Sequence, residues 1–439
     1  MSSTETEPIN VEPQWAAFVA IDWADQKHDW KLLAAGAKRP EAGELKHTPE
    51  AIEDWALKLH HRFGGAPIAV CLEQSRGPLV FALMKYSHLV LYPVNTTTIK
   101  GFRQAFSPSG SKSDSTDSSL LLDVLLHHRH RLRRLEPDTA ATRSLQMLVE
   151  ERRRLVNDKT AHSNHLMSKL KMYFPQMVQW MDDIDSELSC AMLRAWPTLK
   201  KLQGAHPGTL KKFFHDHNCR KEERIQKYLD EIYKAKDAIK DKAMLETCPL
   251  LVLGIIEVIE TLRAQIVVLD QAIEKAFSMH EDALLFSNLP GAGAVLMPRL
   301  LVAFGSNRER WKDANALQSF SGIAPVTESS GNSSWVHSRF ACPKFVRQTF
   351  HEFASHSIRR SVWAGAYYDH QISLGKKHHT VVRGLAFKWI RILFCCWKNH
   401  TPYDETIYLR ALEKNSSPLA TLGKWETVGG FQKFSDKNA

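Results

Sequence analysis

The sequence predicts an α/β domain followed by a long helical region and a mainly helical C-terminal domain. Three observations predict it. In the first 140 residues, short β-rich apolar runs alternate with helical segments, the pattern of a layered sheet buried on both faces. From Thr139, apolar residues recur at near-heptad spacing. After about Ala283, shorter helices are separated by turn-rich stretches. A chain of 439 residues is too long for one hydrophobic core. We divide it into a disordered N-terminus (1–14), an α/β domain (15–140), a helical, coiled-coil-like region carrying an inserted subdomain (141–282), a C-terminal domain (283–412) and a flexible tail (413–439).

The elements follow in order. "WAAFVAIDWA" is an apolar run that reads as a buried strand with Asp22 at its end, and "HDWKLLAA" as its hairpin partner. Thr48 followed by Pro49 gives an N-cap and first-turn proline for a helix to about Arg62. "PIAVCLE" is a second strand, ending on Glu73. A helix from Pro78 and a strand "LVLYPV" follow. "SKSDSTDSS" opens a helix, and "HHRHRLRR" (127–134) extends it. Leu145, Leu148, Leu155, His162, Leu166 and Tyr173 form a seam that Pro175 interrupts. Ile255, Ile259, Leu262, Ile266, Leu269 and Ile273 form a second seam, to be covered by a helix of this chain or of another subunit. "LPGAG" (289–293) is a turn into a helix and "SGIAPVTESSGNSSW" (321–335) a small-residue loop. Helices follow from about Phe345 and from Thr380 to Trp397.

The net charge is +10, with Lys+Arg 58 against Asp+Glu 48, which favours a polyanionic partner. Seven scattered cysteines without a CxxC pair read as reduced thiols. His215, His217 and Cys219 read as a polar helix end. No signal peptide and no run of about 20 apolar residues is present, so a cytoplasmic protein is expected.

Four acids carry the candidate chemistry. Asp22 and Glu73 each end a β-type run, where α/β layers place their sites. Asp114 and Asp117 lie three apart at a helix start, on one helical face. Four convergent carboxylates need a cation, and hard oxygen donors suit Mg²⁺ or Mn²⁺. The order strand-Asp, strand-Glu, helix Asp-xx-Asp is the layout of an RNase-H-like nuclease core. Read singly, each acid is also a turn or helix-cap residue.

"VAIDWADQKHDWKL", "VCLEQSRG" and "SKSDSTDSSLL" together resemble the DEDD transposases of bacterial insertion sequences, whose N-terminal domain is similar to the RuvC-type junction resolvase fold. The resemblance carries Asp22, Glu73, Asp114 and Asp117 onto the metal-binding tetrad. By residue type alone, "GIAPVTESSGNSSWVHSR" is a flexible Ser/Gly loop without a histidine base at motif distance. The family's "G-[LI]-x-P…SG" loop carries a nucleophilic serine, and Gly322, Ile323, Pro325 and Ser330-Gly331 match it. Ser330 takes the nucleophile's place, with Ser329 adjacent. Lys344 stands where the family commonly has a glycine. "LPGAG" matches the family's "PG[IV]G" element, which resembles a helix-hairpin-helix whose Gly291 and Gly293 would let amides face a phosphate.

Basic residues flank these motifs: Lys112, Arg129, Arg131, Arg133 and Arg134; Arg152 and Arg153; Arg339 and Lys344; Lys376, Lys377 and Arg383. Such clusters suit phosphates. The resemblance implies an insertion-sequence recombinase that binds a structured bridge RNA pairing with donor and target DNA. It further implies Mg²⁺ on the tetrad, a covalent phosphoserine at Ser330, a Holliday-like intermediate, and a dimer or tetramer with composite sites, associated with the nucleoid. Two other readings are a metal-dependent resolvase using water attack and a non-catalytic nucleic-acid-binding scaffold.

Overall fold

The computed structural model describes residues 14–106 and 114–416, without the side chains of residues 106 and 114–116. The expectations for the N-terminus, for Lys112 and for the tail beyond residue 416 therefore lie outside the described residues. The chain divides into two compact units, Met1–Pro137 and Asp138–Ala439.

The first unit contains β1 (Ala17–Asp22), β2 (Lys27–Ala34), β3 (Glu41–Lys46), α1 (Pro49–Arg62), β4 (Ile68–Leu72), α2 (Pro78–Leu83), β5 (Leu89–Pro93), α3 (Thr96–Phe106) and α4 (Asp114–His128). The sheet order is β3-β2-β1-β4-β5. β1, β2 and β3 form an antiparallel meander, and β4 and β5 join parallel to β1. Side chains alternate across the sheet. Ala17, Val19 and Ile21 of β1 and Ile68, Val70 and Leu72 of β4 share a core with Trp55 and Leu59 of α1 and Leu79 and Leu83 of α2. Ala20, Ala69 and Cys71 turn the other way, into a core with Ile99 of α3 and Leu121, Leu122 and Leu125 of α4. The strands read as continuous apolar runs because both faces are covered. Thr48 caps α1, accepting from the Ala51 amide, ahead of Pro49.

One correction falls here. α4 stops at His128 and gives way to a single 3₁₀ turn, Arg129–Arg131, so "HHRHRLRR" does not extend it. A run of like charges offers a helix no stabilising i,i+4 pairs.

The second unit contains α5 (Ala140–Tyr173), α6 (Gln176–Trp180), α7 (Glu187–Ala195), α8 (Leu199–Gln203), α9 (Pro207–Asp216), α10 (Glu222–Lys234), α11 (Lys242–Ser278), α12 (Ala283–Ser287), α13 (Gly293–Phe304), α14 (Ala314–Phe320), β6 (Val326–Ser330), β7 (Ser333–His337), α15 (Lys344–Ser357), α16 (Val362–Ser373), α17 (His378–Lys398) and α18 (Glu405–Lys414). α5 and α11 are the long helices the heptads predict, and they run antiparallel. Leu145 and Val149 share a core with Ile273, while Leu166 and Leu170 share one with Ile255 and Ile259. The α11 seam is thus covered by α5 of the same chain. The short helices α6–α10 pack on one end of this pair and α12–α17 on the other. His217 caps α9, so the His215–His217 cluster is the polar helix end expected. Buried tryptophans anchor the C-terminal core, and each satisfies its indole N–H. Trp363 donates to Tyr403, Trp389 to Ser357 Oγ and Trp397 to the Gly305 carbonyl. Among the described residues, no helix is long and apolar enough to cross a membrane.

Candidate active site

In the first unit, β1 and β4 are neighbouring parallel strands with Ile21 opposite Leu72. Asp22 and Glu73 are the next residues, so they leave the sheet side by side, about 4.8 Å apart along the hydrogen-bonding direction. Alternation turns both toward the face that α4 covers, because Ala20 and Cys71 point there. α4 brings Asp117 to that face in its first turn, and Lys31 of β2 anchors it by a hydrogen bond to Ser119 Oγ. Asp114 begins the same helix, though its side chain is outside the described residues. The meander adds a carboxylate missed in the sequence: Asp29 stands directly across from Asp22. Its signal was the hairpin register, which puts cross-strand partners on one face.

Asp117 is 3% exposed, and its carboxylate accepts from Arg103 Nη2 at 2.6 Å. A carboxylate so buried needs a cation. The oxygen donors at this edge suit a hard divalent ion. Among the described residues, however, no three His, Cys, Asp or Glu side chains are grouped closely enough to hold a metal.

The turn leaving Asp22 is held by histidines. The Ala24 amide donates to His28 Nδ1 at 3.1 Å, so His28 carries its proton on Nε2 and donates it to His47 Nδ1 at 2.8 Å. Burial, and then the neighbouring His47, lower the His28 pKa to about 4, so His28 is neutral at physiological pH.

In the second unit, the serine segment is not a loop but a β-hairpin. β6 pairs antiparallel with β7, placing Ser330 opposite Ser333 across a turn at Gly331, which has φ +55°. The hairpin is exposed on both faces. Gly322 lies at its base with φ +73°, where a Cβ would collide with Cys342, and this close approach closes the neck of the hairpin. Glu328 and His337 pair at 2.7 Å on one face of the hairpin, and that hydrogen bond raises the His337 pKa.

Comparison with known proteins bears on both units. A family profile described as a transposase matches residues 19–175. A second, of the transposase IS116/IS110/IS902 family, matches residues 283–369. The chain belongs to the IS110 family of transposases. It is therefore an enzyme that recombines DNA. Among its relatives, the mini-circle protein for IS117 of Streptomyces coelicolor, named as a transposase, is 24% identical over 90% of this chain and 97% of its own length. The 43.6 kDa protein of insertion element IS110 from the same organism is 23% identical over 91% of this chain and 97% of its own length. The 42 kDa protein of insertion element IS900 of Mycobacterium paratuberculosis is 23% identical over 85% and 88%.

The first profile covers the carboxylate-bearing strands and α4, and the second covers the serine hairpin. Around these motifs, the basic residues of the transposase fall into two groups. Arg131, Arg133, Arg134, Lys344, Lys376 and Lys377 are exposed, and Arg383 is half-buried. Arg383 also donates to Ser338 Oγ at the foot of the hairpin, tying α17 to it. Other side chains are committed within the chain. Arg129 stacks on Trp15 and Phe18. Arg152 pairs with Asp270 and Arg153 with Glu352, which also pairs with the buried Arg299 at 2.6 Å. Arg152 and Arg153 thus serve helix packing. Arg339 is half-buried, and its backbone carbonyl accepts from Arg347.

The "LPGAG" turn also separates its two glycines. Gly291 (φ +81°) lies against the α15 backbone, where a Cβ would stand 2.7 Å from the His356 carbonyl oxygen. Gly293 (φ +57°) begins α13 with open space around it.

Proposed function

We propose that this transposase is an RNA-guided recombinase that joins donor and target DNA through a phosphoserine at Ser330, with Asp22, Glu73, Asp114 and Asp117 holding Mg²⁺ or Mn²⁺. The observation that carries the reading is the shared face. Asp22 and Glu73 leave adjacent parallel strands toward the face on which α4 presents Asp117. The sheet order β3-β2-β1-β4-β5 supports an RNase-H/RuvC-like domain.

The chemistry asked of the residues is as follows. Ser330 Oγ gives up its proton and forms an ester bond to the scissile phosphorus. The bond from phosphorus to the leaving deoxyribose oxygen breaks, and that oxygen takes a proton to become a hydroxyl. The reverse attack by a hydroxyl of the other strand releases the serine and rejoins the DNA. Bound at the carboxylates, a divalent ion would polarise a phosphate and stabilise the developing oxyanion. Exposure on a two-stranded hairpin suits Ser330 to reach a DNA backbone, and Gly331 lets that backbone approach closely.

Exposed Lys376, Lys377, Arg131, Arg133 and Arg134 favour a nucleic-acid partner, as does the net charge of +10. The family resemblance supports a bridge RNA that pairs with both DNAs, a Holliday-like intermediate, and a dimer or tetramer whose composite site joins the carboxylate domain of one subunit to the serine hairpin of another.

The test is to incubate donor and target DNA with Mg²⁺ and the cognate RNA and resolve products on denaturing gels. A protein–DNA adduct that disappears in Ser330→Ala supports the recombinase. Cleavage that survives Ser330→Ala indicates water attack by a resolvase. Binding without cleavage in any variant indicates a scaffold.

A further inference from the structure

We propose that Trp335 is a stacking platform for an unpaired DNA base on the serine face of the hairpin. The inference rests on the reading of that hairpin as the part of the enzyme that meets the DNA strand, and extends it.

Trp335 lies on β7 and is 48% exposed, the most exposed tryptophan among the described residues. Trp363, Trp389 and Trp397, by contrast, are buried in the C-terminal core. Trp335 stands directly across from Glu328, so strand alternation puts its indole on the face of Ser330 and Ser333. Ser330 is its cross-strand diagonal neighbour, a separation of about 7–8 Å that a large aromatic side chain spans. His337 follows on the same face. Its ring is held by the hydrogen bond to Glu328 at 2.7 Å, and Phe340, 83% exposed, stacks on it with centroids 6.5 Å apart and planes at 22°. Trp335 and the His337–Phe340 pair thus form an aromatic edge that runs from the serines toward the foot of the hairpin.

A hydrophobic protein surface matches this face poorly. Val336 points to the opposite face, and hydroxyls and the Glu328–His337 pair border the indole, so no contiguous apolar patch forms. A nucleotide matches it well, because its base offers a π-face and its phosphates meet cations. Residues 321–347 carry one acid, Glu328, which is paired with His337, against Arg339, Lys344 and Arg347. Lys344 is exposed where α15 begins, and Arg383 reaches Ser338 at the foot of the hairpin. Aromatic rings among cations are the means by which proteins hold single strands. Within a duplex both faces of a base are covered, so the indole can stack only on a base that is unpaired and turned out. Strand exchange supplies such bases. DNA is favoured over RNA because the indole shares its face with the serine proposed to attack a DNA phosphate. Trp335 would thereby hold a nucleotide beside that phosphate and fix the register of the strand on the hairpin.

The experiment uses full-length protein and fluorescence anisotropy, on wild type, Trp335→Leu and Trp335→Phe. The probes are a labelled oligothymidylate of about 20 nucleotides and, at the same length, an abasic strand, an oligouridylate and a blunt duplex. Trp335→Leu keeps an apolar side chain on the strand but removes the π-face, and thermal melts check that both variants fold. Trp335→Leu is expected to bind oligothymidylate about tenfold more weakly than wild type, and the abasic strand and the duplex equally well. Trp335→Phe is expected to stay within about threefold of wild type on every probe. Oligothymidylate binding by Trp335→Leu that equals wild type or Trp335→Phe overturns the proposal, and so does an equal loss on the abasic strand. A loss confined to oligouridylate would assign the platform to RNA and overturn the DNA assignment. A protein–DNA adduct that persists in Ser330→Ala would remove the nucleophile and leave these binding results standing, so the two readings fail separately.

Discussion

Two glycines two residues apart, both with positive φ, allow packing to be separated from backbone strain by experiment. Replacing either Gly291 or Gly293 with alanine places a Cβ in the left-handed region, at about 1–2 kcal/mol. In both variants the stiffer unfolded chain offsets about 0.4–1 kcal/mol of that. At Gly293 nothing else is met. At Gly291 the new Cβ stands 2.7 Å from the His356 oxygen, 2.8 Å from its carbonyl carbon and 3.1 Å from the Ser357 nitrogen. These are backbone atoms at the end of α15, so relief requires a shift of the helix, a further 1–3 kcal/mol or so. Gly293→Ala should therefore cost about 1 kcal/mol and Gly291→Ala about 2–4 kcal/mol. At roughly 2 °C per kcal/mol for a unit of this size, Gly291→Ala should melt about 2–6 °C below Gly293→Ala. Differential scanning calorimetry reads the melts, and duplex binding measured below both checks function. Equal melting with equally reduced DNA affinity would refute the packing argument and return both glycines to a phosphate-facing turn.

Other expectations concern pH, salt and a buried ion cluster. His28 is held neutral with its pKa lowered to about 4, against about 6.5 when unfolded. The unfolded chain thus binds the extra proton first. The stabilisation, about 3 kcal/mol, is complete above pH 6.5 and is lost as pH falls toward 4. His28→Asn should flatten that acid limb in urea titrations. Lys376→Ala combined with Lys377→Ala should leave the melting temperature within 1 °C or so and reduce the salt slope of DNA binding by about 2. Glu352→Ala strands Arg299 and Arg153 and should destabilise by about 3 kcal/mol in urea unfolding, with Arg299→Met partly restoring the loss.

What the sequence made legible were features with a local signal. Apolar runs marked β1 and β4, Thr48-Pro49 marked the start of α1, and heptads marked α5 and α11. β3 escaped because it is an edge strand in which only Leu45 is buried, so no alternation shows. Its Gly43 is required for another reason, since a Cβ there would press on the Trp30 ring. The serine hairpin was misread because its residues are exposed on both faces, although Gly331-Asn332 between two five-residue runs is a hairpin signal. Arg152 and Arg153 looked like a phosphate-binding cluster because their carboxylate partners stand 118 and 199 positions away. No local pattern distinguishes an arginine in water from one paired across a fold. Arg103 and Asp29 were hidden for the same reason: each acquires its role from a neighbour that only the fold supplies.

The hairpin also places the two serines on opposite faces. Successive residues of a strand point to opposite faces, so Ser330 lies on the face of Glu328, and Ser329 lies on the face of Thr327. The Glu328–His337 pair at 2.7 Å confirms which side chains share the first face, and Ser333, opposite Ser330, joins them. The face of Ser330 thus carries the Glu328–His337 pair, whereas that of Ser329 carries Thr327, Ser334 and Val336. The proposed nucleophile Ser330 and its neighbour Ser329 therefore meet different surroundings, despite their adjacency. Ser330→Ala should abolish the protein–DNA adduct, whereas Ser329→Ala should retain it within about tenfold. His337→Gln should leave the hairpin folded, because its backbone pairing with Val326 does not depend on the imidazole. An adduct lost in Ser329→Ala but kept in Ser330→Ala would reverse the assignment. Loss in both would show that the two faces are not distinct during the reaction.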